Sequence, residues 1–305
     1  MAQDLEHLAR RAHTLASIRG IVRTMKTMAA INAAPYEQAA GAIEAFHAAL
    51  RRGFSAFAFR MGTQALPAPA PPRQQVLLAF GSDHGFCGNY NELVARSLQQ
   101  WLADQTHVAR RRLVLCVGAR LAAALHECGL QPGHVLMPPA SAEGIGRVAA
   151  ELVAHIEQAS RGEPLAALGV ALAYTQRSEH GGRLPVVRTL LPLAPTLLQA
   201  PRRWPSRALP DFAMPPQALL AALVRNHLFA SVFRAAAEAI VTENAARLAL
   251  MQQAEKSVDE RLDELRRQMA TQRQDEITNE LMDIVIGHVG EPERATLPQR
   301  AGGGR

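Results

Sequence analysis

The sequence is poor in aromatics, in lysine and in cysteine. Only 5% of its 305 residues are Phe, Trp or Tyr, and none is interleaved with basic side chains, which removes the usual stacking platform for single-stranded nucleic acid. Cys87, Cys116 and Cys128 are odd in number and include no close pair, so neither a disulfide framework nor a tetrathiolate zinc site is available, and the chain reads as one for a reducing, cytoplasmic compartment. The eleven histidines are scattered without H-E-x-x-H or Cys/His spacing, and no metal is expected. Asp4 and Glu6 stand where a secretory signal needs a basic region and then an apolar run. No uncharged stretch reads as both long enough and apolar enough to span a bilayer, so a membrane role would come through a partner.

What is present is apolar and basic. Apolar residues make up 48% and charged residues 20%, enough for a real core, and at 33.0 kDa the chain suits two ordinary domains or one with a long appendage. Ala and Leu supply much of the apolar count, which favours helix. The net charge of +6 invites a nucleic-acid reading, yet only Lys26 and Lys256 among 33 basic residues are lysine, and codon bias in a GC-rich genome is the plainer source of so much arginine.

Two proline-rich stretches, residues 66 to 72 and Pro192 to Pro216, cut the chain into helical outer segments and a mixed middle. In the first segment Leu5, Leu8, Ala12, Leu15, Ile18, Val22 and Met25 recur at three and four, a seam for a partner helix. Pro35 should kink or break this helix, and Gly41 and Gly53 weaken its continuation beyond that point. The last segment has no proline from Gln217 to Gly287 and carries a stripe of Leu248, Met251, Val258, Leu262, Leu265, Met269, Ile277, Leu281 and Ile284. One continuous helix there would be about 70 residues and on the order of 100 Å long, beyond an ordinary globular helix. Residues 1 to 60 carry eight basic and four acidic side chains, net +4, while 216 to 290 carry eight basic and eleven acidic, net −3. Opposite charge and the need to return the chain predict an antiparallel two-helix coiled coil made by the two ends.

The middle segment alternates apolar runs, 76–80, 112–118, 168–175 and 184–193, with helical patterns through Asn91 to Leu102, Ala119 to Cys128 and Val148 to Glu157. Near-continuous apolar strands separated by helices imply a parallel or mostly parallel sheet covered on both faces. The expected fold class is therefore α/β: a long antiparallel two-helix coiled coil from both termini with an inserted Rossmann-like α/β domain. Its expected parts are residues 1–60, 73–200 and 216–289, with a flexible tail over 290–305.

The sharpest local motif is GSDHGFCGNYN, residues 81 to 91, at a strand-to-helix junction where α/β folds bind phosphates. Its Gly81, Gly85 and Gly88 match neither G-x-G-x-x-G nor a P-loop, and a tight glycine-dependent turn is the stronger reading. A Cys87–His84 dyad lacks an orienting third group. Arg110, Arg111 and Arg112 suit a gatekeeping cluster before an apolar strand better than a phosphate site.

The ends carry a resemblance. Residues 242 to 287 resemble the C-terminal helix of the γ subunit of F-type ATP synthases without a gap, at Glu243, Ala245-Ala246-Arg247, Asp263-Glu264-Leu265, Arg273-Gln274, Ile277-Thr278 and Glu280-Leu281. GSDHGFCGNYN is similar to the family's S-D-R-G-L-C-G-G-L-N, with His84 in place of arginine. IVRTMKTMAA, residues 21 to 30, is similar to K-I-T-K-A-M-x-M-V-A-A and keeps Ile21, Arg23, Met25 and Ala29-Ala30. Val22 departs from the family's threonine, and Asn32-Ala33-Ala34-Pro35 replaces its S-K-L-R. That divergent segment resembles the alternate, sodium-type branch of F-type ATPases.

The resemblance implies a central rotor shaft with no catalytic site, cofactor or metal of its own. Its partners would be the α and β subunits, the ε subunit and the membrane c-ring, with no nucleic acid and no direct membrane insertion, on the cytoplasmic face of a bacterial membrane. It further implies that Arg273, Gln274, Thr278 and Glu280 form polar contacts with β, that Met25 and Arg247 belong to the same coupling region, and that the apolar end Ile284 to Val289 suits a bearing sleeve. The rival readings are a coiled-coil adaptor with an inserted α/β domain and an α/β enzyme using Cys87.

Overall fold

The computed structural model describes residues 2–62, 72–105, 109, 111–160, 167–178, 182–200, 203–204 and 206–289. Its first and last elements are helices α1 (Ala2–Met61) and α5 (Pro216–Val289). Between them run β1 (Gln74–Phe80), α2 (Tyr90–Ala103), β2 (Arg111–Val117), α3 (Ala119–Glu127), β3 (His134–Leu136), α4 (Gly144–Ala159), β4 (Leu168–Arg177) and β5 (Arg183–Leu191). The chain divides into two compact units, residues 25–252 and residues 1–24 with 253–305.

In the larger unit the sheet has the order β3-β2-β1-β4-β5. β1 to β4 are mutually parallel, with Gln74 opposite Arg111 on one side and Leu168 on the other, while β5 returns antiparallel to β4. The strands are apolar on both faces because both faces are covered. Along β1, Val76, Leu78 and Phe80 join a core with α4, α1 and α5, and Leu77 and Ala79 join a second core with α2 and α3. The mixed sheet refines the expectation of a mostly parallel one, and β3 is a strand the sequence pattern does not reveal. Its three residues are exposed or half-buried, and so carry no apolar run.

α1 and α5 also pair in this unit. Arg234 reaches Glu44 at 2.9 Å, His227 meets the ring of His47, and a Cβ on Gly53 would lie 3.0 Å from Leu223. Partner numbers fall as α1 numbers rise, so the helices run antiparallel, and Gly53 permits the close approach. The expected interruption at Pro35 is not observed, because α1 is continuous through it. Pro35 and Ile31, whose carbonyl loses its helical donor, both lie on the exposed side, where water can satisfy that carbonyl. Tyr36, one residue on, is buried and donates its hydroxyl to the Pro139 carbonyl at 2.9 Å.

The smaller unit repeats the antiparallel pairing with charged side chains at its rim. Arg19 lies 3.3 Å from Asp259 and Arg23 lies 2.7 Å from Glu255, the basic helix against the acidic one. Met251 at the end of the larger unit and Leu262 and Leu265 in the smaller are buried, whereas Ile277, Leu281 and Ile284 of the same stripe are exposed. In this register the first residues of α1 fall opposite the turn near Glu276, and α5 beyond that point has no described helix against it.

Among the described residues one helix, α5, is apolar enough by length and composition to cross a membrane, where the composition alone suggested none. The physical reason lies in its first half: Val224, Leu228, Val232, Ala235, Ala236, Ala239 and Val241 are buried in the sheet-facing core.

Glycine positions test this packing. A Cβ at Gly81 would sit 2.5 Å from Leu121 Cβ and 2.6 Å from Asn91 Oδ1, whereas Gly41 has nothing within 4 Å. Gly81→Ala is expected to lower unfolding stability by about 2 kcal/mol. Gly41→Ala is expected to raise it by about 0.5 kcal/mol, both read by urea denaturation.

Candidate functional site

The GSDHGFCGNYN segment turns the end of β1 into α2, and its polar atoms are spent on holding that turn. Asn91 accepts from the Ser82 amide at 2.9 Å and donates to Ser82 Oγ at 2.8 Å; Ser82 Oγ donates to the His84 carbonyl at 2.8 Å. Asp83 accepts from the Ala119 amide at 3.1 Å, taking the place at the start of α3 where an anion would otherwise be attracted. Gly88 has φ +66°, natural for glycine, but Phe86 has φ +62°, uncommon for a bulky side chain, and is 62% exposed. The loop thus presents one aromatic ring outward at some backbone cost.

Cys87 does not have the surroundings of a nucleophile. It is buried beside Ser82 Oγ at 3.4 Å, and burial pushes its thiol up, a shift the Ser82 hydrogen bond only partly opposes. His84 meets it through the carbonyl, not the imidazole. These contacts count against the enzyme reading.

The loop is fastened to α5. Tyr90 donates to the Ala239 carbonyl at 2.7 Å and lies 3.0 Å from Thr242 Oγ1, which donates in turn toward the Thr175 carbonyl at 3.0 Å. One turn along, Arg247 Nε donates to the Gly85 carbonyl at 3.4 Å while the same guanidinium pairs with Glu243. Burial raises the Glu243 pKa, and the Arg247 hydrogen bond and charge oppose that rise. Arg247 is therefore a mostly buried clamp between helix and loop. Sequence reasoning marked it but missed Tyr90, Thr242 and Thr175, whose roles depend on which strand end and helix turn meet.

The other marked residues lie elsewhere. Met25 is half-buried on α1. Arg273, Gln274, Thr278 and Glu280 are exposed on α5, and the Thr278 hydroxyl donates back to the Gln274 carbonyl at 2.8 Å. Around them Ile277, Leu281, Met282, Ile284, Val285 and Ile286 are 56–66% exposed, a run of apolar side chains that a monomeric surface rarely leaves bare. Of the bearing segment Ile284 to Val289, side chains are described only to Ile286.

A family model described as ATP synthase matches residues 4–289. The protein named ATP synthase gamma chain of Anaeromyxobacter sp. (strain Fw109-5) is 30% identical over 233 residues, covering 73% of this chain and 74% of that one. The chain belongs to the ATP synthase γ-chain family. A gamma chain from Bacteroides thetaiotaomicron is 27% identical over 301 residues, covering 93% of this chain and 98% of its own length. Among solved structures, the rotor of the Euglena gracilis mitochondrial ATP synthase superposes with a TM-score of 0.60 at 14% identity, over 91% of this chain and 100% of that one. A Tetrahymena thermophila central stalk and c-ring structure gives 0.54 at 17% identity, over 77% and 99%. Five strands with a long C-terminal helix are thus the γ fold, and the chain is a subunit of an ATP synthase complex.

In this γ chain, Arg247→Ala leaves Glu243 buried without its cation and frees the loop from α5. We expect a loss of about 3 kcal/mol at neutral pH. A carboxyl whose folded pKa is raised stabilises the fold below its unfolded value, and that contribution is lost as pH rises. The variant should therefore lose more stability than the parent between about pH 5 and about pH 8, measured by denaturation at each pH.

Proposed function

We propose that this γ-family chain is the central rotor shaft of a rotary F-type ATP synthase, coupling ion flow through the membrane c-ring to conformational change at the catalytic β subunits. The bare apolar end of α5 is the observation that carries this reading. A helix that leaves Ile277, Leu281, Ile284 and Ile286 in water is stable in the cell only against another surface, and the ring of α and β subunits is the surface the family offers.

In this reading residues 1–60 and 216–289 form the shaft, residues 73–200 meet the ε subunit and the c-ring, and the chain carries no catalytic site of its own. Residues 290–305, the expected tail, lie outside the described residues. The complex stands at the cytoplasmic face of a bacterial membrane, and this chain touches the bilayer only through its partners. Arg273, Gln274, Thr278 and Glu280 are the polar contacts with β. Their exposure supports this, as does their spacing along one short apolar stretch: a few polar catches on a slick surface let a shaft turn without sticking. Coupling then arises from unequal contact, because an asymmetric shaft that touches three β subunits differently biases each toward a different state. Met25 and Arg247 belong to the same coupling region, Arg247 acting through the loop it holds, with Phe86 as that loop's outward face.

Co-expression with α, β and ε tests the reading. The chain should purify in their complex, and a clean monomer from that mixture would sink the proposal. Leu281→Gln with Ile284→Gln should leave the isolated chain's stability within about 0.5 kcal/mol, both sites being exposed, yet prevent its retention by α and β. Arg273→Ala with Gln274→Ala should lower ATPase turnover of the complex about fivefold, the order of 1 kcal/mol of differential contact, while assembly persists. Unchanged turnover removes these two contacts from the mechanism.

A further inference from the structure

Where α1 packs on α5 in the larger unit, two histidines face each other inside the interface. His47 on α1 is 9% exposed and His227 on α5 is 8% exposed. Their ring centroids lie 5.8 Å apart with the planes at 84°, and the fully buried Phe54 stands edge-on to His227 at 5.9 Å. His47 Nε2 is buried with no hydrogen-bond partner. A neutral imidazole tolerates that position, but an imidazolium would place a second charged donor where nothing accepts it.

The surroundings offer neither ring a free counter-charge. His47 is faced from α1 by Glu44 and Arg51 and from α5 by Arg234 and the Ala230 backbone, while His227 is faced by His47 itself. Glu44 is the one carboxylate among these groups, and it already meets Arg234 at 2.9 Å and Arg51 at 3.6 Å. Two residues from His227, Arg225 is taken up by Glu157 of α4 at 2.9 Å.

We propose that His47 and His227 form an acid-sensitive joint in the α1–α5 pairing of residues 25–252, closed when both rings are neutral and loosened when either is protonated. Burial, chiefly, holds both below the ordinary histidine range; His227 falls to about 4, with His47 as the second cause. A histidine with a depressed folded pKa is protonated first in the separated state, so the pairing is at full strength above about pH 6.5 and weakens as pH falls toward the folded value. Glu44 keeps its charge until the ordinary carboxylate range near about 4.5, so between about pH 6.5 and about pH 5 the weakening belongs to the histidines. This inference does not depend on the rotor reading.

The test is hydrogen exchange of the full chain, following backbone amides of residues 43–58 and correcting for the intrinsic pH dependence of exchange. Local opening of this part of α1 should increase roughly tenfold between pH 7 and pH 5.5 in the parent chain. His47→Gln with His227→Phe should be flat over that range, Phe being compatible with the aromatic contact at Phe54. A parent with no pH response, or a double variant as steep as the parent, overturns the joint. Should the double variant not fold, NMR titration of the parent's imidazole protons decides the matter: midpoints well below 6 for both rings support the proposal, and midpoints near 6.5 overturn it.

Discussion

A helix with an apolar stripe needs a second surface, and in this chain α1 and α5 provide it for each other. That mutual need sets the rest of the architecture. The first helix must be followed by a domain that turns the chain round, and the turn must deliver α5 antiparallel, so that Arg19 finds Asp259 and Arg23 finds Glu255 in one unit and Glu44 finds Arg234 in the other. The ion pairs are exposed at the rim and individually weak, so their contribution is to register more than to stability. Burial of Val22, Phe54, Leu228, Met251, Leu262 and Leu265 supplies the larger share.

The pairing also defines where the molecule is incomplete. Because α5 outlasts α1, the stripe that is buried at Leu262 and Leu265 emerges bare at Ile277, Leu281 and Ile284. The same sequence pattern thus has two physical meanings along one helix: intramolecular core first, contact surface for other subunits afterwards. The α/β domain contributes the second contact region. Arg247 and Tyr90 fasten its Gly-rich loop to α5, so a load on the loop is passed to the helix backbone through a few short hydrogen bonds.

Much of this was legible without coordinates. Absence of proline from Gln217 onward, the stripe from Leu248 and the opposite charges of the two ends pointed to paired long helices, and the apolar runs marked β1, β2, β4 and β5. Other features were not legible, for identifiable reasons. Pro35 looked like an interruption because a lost hydrogen bond is costly only where water cannot replace it, and the sequence does not say which side of the helix faces water. β3 has three residues with no apolar run, and the antiparallel return of β5 is decided by the connection, not by its own composition. The motif marked Arg247 as a partner contact, whereas its guanidinium is largely committed to Glu243 and Gly85, a geometry that depends on bringing residues 85 and 247 together.

The sequence by itself determined the elements and their kind, because helix and strand formation depend on local periodicity, proline placement and apolar content. It also determined that the two ends would attract, because charge and stripe are properties of each segment alone. Only the tertiary structure decided which part of a uniform stripe is core and which is contact surface, since that depends on where the partner helix stops. It alone decided that the Gly-rich loop is a clamp and not a phosphate cradle, by setting Asp83 at the start of α3 and Arg247 against Gly85. And it alone brought His47 to His227, 180 residues apart, into one buried interface where water can no longer solvate their charge.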